Sequence, residues 1–162
     1  MIAMGGVGGK NFAGEINWNV TKTVVTENKT TVLLAREIQE NHGHLICVSD
    51  EKSISAARKD AILANRCDCP IFLISVAESE DKKHLAEDAL KQARTAIEEA
   101  GVEVVETYCP VGHPATTIVE RGKDFSVIVL ADSTVKGFRR FFQSSTAFDV
   151  LRRAHNSVMI VR

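Results

Sequence analysis

Residues 125–130 have the sequence FSVIVL, which is the most apolar strand-like run in this chain of 162 residues. A strand covered by helices on both faces is apolar along its whole length, whereas a strand with one exposed face alternates between apolar and polar residues. The run therefore predicts a central, buried strand of a parallel sheet.

Further strand-like runs lie on both sides of FSVIVL in the sequence, and helical segments separate them. The predicted strands are 44–49, 70–76, 102–108 and 157–161, and the predicted helices are 53–65, 80–100, 115–121 and 145–154. Strands that alternate with helices indicate parallel pairing with right-handed crossovers. Residues 44–162 are therefore predicted to form one α/β domain, a doubly wound parallel sheet of five strands in the order β-α-β-α-β-α-β-α-β.

The first 43 residues do not continue this alternation, and we treat them as an N-terminal extension. Residues 30–35 have the composition of an extra strand. Residues 12–20 align with 142–150, and residues 31–36 align with 157–162 after a slippage of four positions. This echo predicts that residues 1–36 are the last helix and strand of a preceding domain of the same kind.

A glycine-rich run, Gly5–Lys10, superficially resembles a phosphate-binding loop. Such a loop needs a preceding strand and a Ser or Thr after the lysine. We expect no strand before this run, and Asn11 follows the lysine. A flexible end is the favoured interpretation.

Composition excludes several classes of function. The formal net charge is −1, so the chain lacks the basic footprint of a nucleic-acid-binding domain. The longest unbroken apolar stretch is Val127–Ala131, far short of the roughly 20 residues that a membrane span needs. No N-terminal signal peptide is apparent, so a cytoplasmic location is expected. Free thiols are the expected state of the four cysteines, which are Cys47, Cys67, Cys69 and Cys109.

Three stretches in the complete domain resemble the universal stress protein family. The first is Val48–Asp50 at the end of a strand, and the second is the Gly112–Ala115 turn, where His113 replaces the usual acid. The third is FSVIVL with the long segment after it, the last helix and the closing strand 157–161. The resemblance covers residues 44–162 and implies that family's fold.

Nucleotide-binding members of that family carry a phosphate loop with the pattern Gly, two residues, Gly, nine residues, Gly, then Ser or Thr. Glycines let the backbone approach phosphate closely. The corresponding positions here are Ala131, Thr134, Ser144 and Ser145, so the spacing is kept but all three glycines are replaced. The resemblance therefore implies no cofactor, or only weak binding of ATP or AMP.

Three further positions correspond to the family's nucleotide site. Asp50 matches an aspartate that faces the adenine, although an aspartate that caps a helix explains it equally well. Val76 matches an apolar residue beside the base, although core packing is the favoured explanation. Gly112 begins the turn that corresponds to the family's Gly-Asp-Pro-Ala motif.

A regulatory or binding domain in stress response is the expected function, and no paired acid–base or metal constellation indicates an enzyme. The alternative is a cytoplasmic regulatory module associated with a membrane permease or antiporter. A nucleotide hydrolase is the least favoured class. The resemblance implies a homodimer through Ser157–Val161, and we expect Thr30–Ala35 to pair antiparallel with that strand, within one chain or swapped between two.

Overall fold

The protein has an α/β fold, with one β-sheet and helices on both of its faces. The structure is a computed structural model that describes residues 1–5, 18–27, 29–36, 43–131 and 146–162. The strands are β1 (Ile2–Gly5), β2 (Val32–Ala35), β3 (His44–Cys47), β4 (Ile71–Ile74), β5 (Val104–Tyr108), β6 (Val127–Ala131) and β7 (Ser157–Val161). The helices are α1 (Trp18–Glu27), α2 (Glu51–Asn65), α3 (Lys83–Glu98), α4 (Pro114–Gly122) and α5 (Thr146–Arg153), with a short 3₁₀ turn at Glu80–Lys82. None of the helices in the described ranges is long and apolar enough to cross a membrane.

Seven strands form one sheet in the order β1-β2-β7-β6-β3-β4-β5. All neighbours pair in parallel except β2 and β7, which pair antiparallel with Leu33 opposite Met159. The α/β class and the five-stranded parallel part are confirmed. The expected antiparallel pairing of the N-terminal strand with the closing strand is present, and it occurs within the chain.

A strand was missed at the N-terminus. We expected none before the glycine-rich run, but Ile2–Gly5 pairs in parallel with Val32–Ala35. This run is only four residues long and shows no apolar alternation, so its pairing with β2 decides its conformation rather than its own pattern. The N-terminal segment is thus a strand–helix–strand unit, one strand more than expected.

The two ends of the chain are built alike. In β1 and β2 the residues that pair are 30 positions apart, as in Ile2 with Val32. In β6 and β7 they are also 30 positions apart, as in Ile128 with Val158. The antiparallel contact of β2 with β7 therefore places two matching strand–helix–strand units in opposite directions across Leu33 and Met159.

Apolar side chains fill both faces of the sheet. One core contains side chains of α1, α4 and α5, and the other contains side chains of α2 and α3. Strand β6 contributes to both, because Ile128 and Leu130 point to the first and Val127 and Val129 to the second. Its residues 127–130 are all buried, which confirms the prediction made from FSVIVL.

Helix α4 packs very closely on β6. A Cβ atom at Gly122 would lie 2.3 Å from Ile128 Cδ1, so only glycine fits there without movement. The buried side chain of Asn156 fixes the end of the same helix, since its amide donates hydrogen bonds to the carbonyls of Gly122 and Phe125, both at 2.9 Å. The position of β6 therefore depends on the packing of α4 and on the hydrogen bonds that Asn156 donates from the turn before β7.

Replacing Ile128 by alanine should destabilise the fold by about 2–5 kcal/mol, because it leaves a cavity beneath α4. Urea denaturation measures this loss. The matched control is Ile62→Ala, since Ile62 on α2 is 40% exposed. Apart from the difference in helix propensity between the two residues, this change should alter the free energy of unfolding by no more than about 0.5 kcal/mol. A loss below about 1 kcal/mol at Ile128 would contradict a central position for β6.

Deleting residues 1–36 should expose the apolar edge of β7 and promote self-association, because the unpaired backbone groups of an edge strand recruit other strands. Light scattering during size-exclusion chromatography measures the mass. The control deletes residues 1–5 only and keeps β2 on β7. Equal behaviour of both truncated proteins as monomers would contradict a protective role for β2.

Candidate functional site

A cleft of about 410 Å³ lies at the carboxyl ends of β3, β4 and β6. The order of the strands reverses between β3 and β6, because β3 is followed by β4 on one side and flanked by β6 on the other. Ligands of doubly wound folds bind at such a reversal. The first residues of α2, α4 and α5 also contribute to the wall of the cleft.

Asp50 lies in the wall and caps α2. Its Oδ1 accepts a hydrogen bond of 2.8 Å from the backbone N–H of Ser53, and the Ser53 hydroxyl in turn accepts one of 2.8 Å from the N–H of Asp50. This reciprocal capping box satisfies two backbone donors at the start of the helix. The hydrogen bonds of a helix cap therefore account for an aspartate at position 50. The side chain of Asp50 also borders the cleft.

Val76 also borders the cleft, directly beyond the end of β4. The next residue, Ala77, forms an isolated bridge with Val111, and the N–H of Gly112 donates to the Ala77 carbonyl at 2.8 Å. Gly112 itself is not part of the cleft wall, which continues at Pro114. Its role in this geometry is to close the turn that leads into α4.

Ala131 is the last residue of β6 and lines the cleft. The other three positions predicted for the phosphate loop, Thr134, Ser144 and Ser145, lie outside the described residues. The chain is described again from Thr146, and Thr146 and Ala147 line the cleft at the start of α5. The structure thus brings together Asp50, Val76 and Ala131 from the predicted set.

The wall also contains three charged residues that were not among the predicted site residues: Lys52, Glu78 and Lys82. The Lys82 ammonium lies 2.8 Å from the Glu78 carboxylate. This hydrogen bond lowers the pKa of Glu78 and raises the pKa of Lys82 from their ordinary values. No motif marks these positions in the sequence, although Glu78 and Lys82 are four residues apart, the spacing of a helical ion pair.

Leu85 also lines the cleft. Apolar residues recur at helical spacing through residues 80–100, and this pattern predicts that Leu85 lies on the buried face of the helix, but its side chain is 58% exposed. The helix begins only two residues earlier, at Lys83, so this first turn extends beyond the sheet and borders the cleft instead of packing on the core.

Cys47 at the end of β3 also lines the cleft, and its thiol is largely buried, with 9% of the residue exposed. Burial raises its pKa far above the ordinary value, because a thiolate there would be poorly solvated. The thiol therefore stays protonated at neutral pH and acts as a small apolar group.

The model of the universal stress protein family matches residues 43–162. The chain belongs to the universal stress protein family. The matched range begins just before β3 and includes the whole cleft. This finding confirms the resemblance noted from Val48–Asp50, the Gly112–Ala115 turn and the closing segment.

Solved structures share the fold of this universal stress protein domain at low sequence identity. A universal stress protein in complex with cAMP has a TM-score of 0.65 and 17% identity, over 76% of this chain and 98% of that one. A universal stress protein from Archaeoglobus fulgidus in complex with dAMP has a TM-score of 0.61 and 20% identity, over 75% of this chain and 98% of that one.

A longer universal stress protein from Archaeoglobus fulgidus DSM 4304 matches with a TM-score of 0.73 and 19% identity. The match extends over 99% of this chain but only 60% of that one, so this chain spans about three fifths of that relative. The N-terminal strand–helix–strand unit is therefore included in the match. No curated protein is similar enough to match.

The two interpretations of Asp50 can be separated by two substitutions. Asp50→Ala removes the cap and should cost about 0.5–2 kcal/mol, whereas Asp50→Asn keeps an N-cap acceptor and should cost only a few tenths of a kcal/mol. Urea denaturation measures both losses. An equal loss in the two variants would contradict the capping role, because the amide oxygen of asparagine can accept the same hydrogen bond.

Proposed function

We propose that this protein is a regulatory binding domain of the stress response whose cleft has lost tight nucleotide binding. The observation that carries the proposal is the contrast between the two halves of the site. The half formed by β3 and β4 keeps a wall suited to a base, whereas the phosphate loop after β6 has no glycine at its three glycine positions.

The base half of the cleft is built from backbone that is held rigidly. Asp50 is fixed by the capping box, and the segment of Val76 is fixed by the bridge between Ala77 and Val111. A cleft of about 410 Å³ lies in the size range of small-molecule sites. A planar adenine between Val76 and Asp50 is the ligand chemistry that this half accommodates best.

The half of the cleft at the end of β6 is less favourable for binding a phosphate. Ala131 places a methyl group where the family's pattern has its first glycine, which limits how closely the backbone can approach a phosphate. The described part of the wall is also balanced in charge, since it contains two lysines, Lys52 and Lys82, and two acids, Asp50 and Glu78. Lys82 is already engaged by Glu78, so its charge is partly neutralised before any anion arrives.

The structural relatives support a nucleotide rather than another ligand class. Two of them are complexes with cAMP and dAMP, which are adenine nucleotides with a single phosphate. Such ligands need less of a phosphate cradle than ATP does. We therefore propose AMP-type ligands as the best candidates for the remaining affinity, with no catalytic step on the nucleotide.

We further propose that the domain works together with a second domain of the same kind. The N-terminal unit β1-α1-β2 matches β6-α5-β7 in strand spacing and occupies the edge of β7. A homodimer through β7 would require β2 to leave this edge or to be swapped between two chains. The match covers only 60% of the longer relative, and this favours an arrangement of two such domains.

A cytoplasmic regulatory module of a permease or antiporter stays the second candidate, because a paired arrangement of such domains fits a tail of that kind. Copurification with membranes would test it. Recovery of the full-length protein with a membrane-spanning segment in the same polypeptide would decide for this candidate over a free stress protein.

Isothermal calorimetry should show that ATP binds more weakly than about 100 μM, which corresponds to less than about 5.5 kcal/mol of binding free energy. AMP should bind within about tenfold of ATP, because the additional phosphates find no cradle. ATP that copurifies with the protein, or binds in the nanomolar range, would overturn the proposal.

Restoring the glycines should strengthen the binding of ATP more than that of AMP. The variant is Ala131→Gly, Thr134→Gly and Ser144→Gly combined, and the expected gain is about tenfold or more for ATP. The matched control is Ala77→Gly, a small-to-glycine change in the same cleft on the side of the base. A gain in the control alone would place the defect outside the phosphate loop.

A further inference from the structure

Two cysteines meet in the turn that follows α2. The Sγ atoms of Cys67 and Cys69 lie 3.1 Å apart, at the distance of a thiol–thiol hydrogen bond. Cys67 is exposed and Cys69 is partly exposed, so solvent reaches the pair. This turn joins α2 to β4 at the opposite end of the strands from the cleft, because parallel β4 begins there.

The backbone holds the two thiols together. The N–H groups of Cys67 and Cys69 both donate to the carbonyl of Ala64, each at 3.1 Å, and the Cys67 thiol donates to the same oxygen at 3.2 Å. Asp68 between them has a φ of 53°, the left-handed conformation that reverses the chain within a single residue. The side chains of both cysteines are therefore directed to the same place without a long loop.

A metal ion is not the best partner for this pair. Among the described residues, no group of three or more His, Cys, Asp or Glu side chains is arranged to hold one. His44, whose backbone N–H donates to the carbonyl of Pro70 just after Cys69, has its ring engaged by Asp60 at 2.8 Å. Two thiols without further ligands favour chemistry between the sulfurs themselves.

We propose that Cys67 and Cys69 form a modification site in which a hydroperoxide oxidises the pair to an intrachain disulfide. Cys67 attacks the peroxide, which becomes an alcohol or water, and gains an oxygen as a sulfenic acid. The thiol of Cys69 then displaces that oxygen as water, and the sulfur–sulfur bond forms. Two thiols and one hydroperoxide thus give one disulfide, one alcohol and one water.

Exposure and charge assign the order of the two steps. Burial and the hydrogen bond and charge of Cys67 raise the pKa of Cys69 to about 11, with smaller contributions from Asp60 and Asp68. Cys69 is thus the poorer first nucleophile, and Cys67 is the more exposed of the two.

Little movement is needed to close the bond. A disulfide has a sulfur–sulfur length of about 2.05 Å, so the pair must approach by only about one ångström from its separation of 3.1 Å. The Oδ2 atom of the buried Asp60 side chain lies 2.8 Å from Nδ1 of His44.

The test treats the reduced full chain with one molar equivalent of hydrogen peroxide and quantifies each thiol by alkylation and mass spectrometry. Trypsin releases residues 67–82, which contain Cys67 and Cys69 and no other cysteine. We expect this segment to lose both thiols together, with the loss of two hydrogen atoms in mass and recovery by dithiothreitol. The rate should exceed that of Cys109 by about tenfold or more.

Two variants provide the matched controls. Cys67→Ser should slow the oxidation of Cys69 to the rate of Cys109, whereas Cys109→Ser should leave the pair unchanged. Loss of the two thiols no faster than that of Cys109 would overturn the proposal. Products that are only sulfinic acids or cross-linked chains would also overturn it, because neither requires two thiols in contact.

Discussion

The antiparallel contact between β2 and β7 is the constraint on which the arrangement of this chain depends. β7 is apolar on both faces, and its inner edge already pairs with β6. Its outer edge would otherwise present unpaired backbone groups to solvent, and β2 covers them through Leu33 opposite Met159. Because β2 is fixed there, β1 and α1 are fixed as well, and one sheet extends from the N-terminal unit through the complete domain.

The cleft depends mainly on one strand of this sheet, β6. β6 sits between β7 and β3, so the reversal of strand order next to β3 exists only if β6 is held in place. The close contact of Gly122 with Ile128 and the amide of Asn156 hold it. The result is a cleft whose wall brings Asp50 and Val76 close to Ala131 at the end of β6.

The sequence predicts most of the fold, because buried parallel strands and amphipathic helices leave patterns that depend on few residues. FSVIVL and SVMIV each identify a strand without any tertiary information. β1 is different, since Ile2–Gly5 is short and has no alternation, and only its pairing with β2 makes it a strand. Leu85 was misplaced for a related reason: helical periodicity gives the face of a helix but not where the supporting sheet ends.

The candidate site is less accessible to prediction from sequence. Asp50, Val76 and Ala131 were found because a family pattern marks their positions, and they do border one cleft. Lys52, Glu78 and Lys82 border it too, but no family pattern or motif marks their positions in the sequence. Only the folded chain brings such residues together.

The equal strand spacing of the two end units has a consequence for the rim of the sheet. β1 holds the place in its unit that β6 holds in the other, and β6 is flanked on its far side by β3. The far side of β1 is instead the outer border of the described sheet, with Ala3 and Gly5 exposed. The two borders of the described sheet are therefore built differently: β5 pairs with β4 of the five-stranded parallel part at one border, and β1 pairs with β2 of the N-terminal unit at the other.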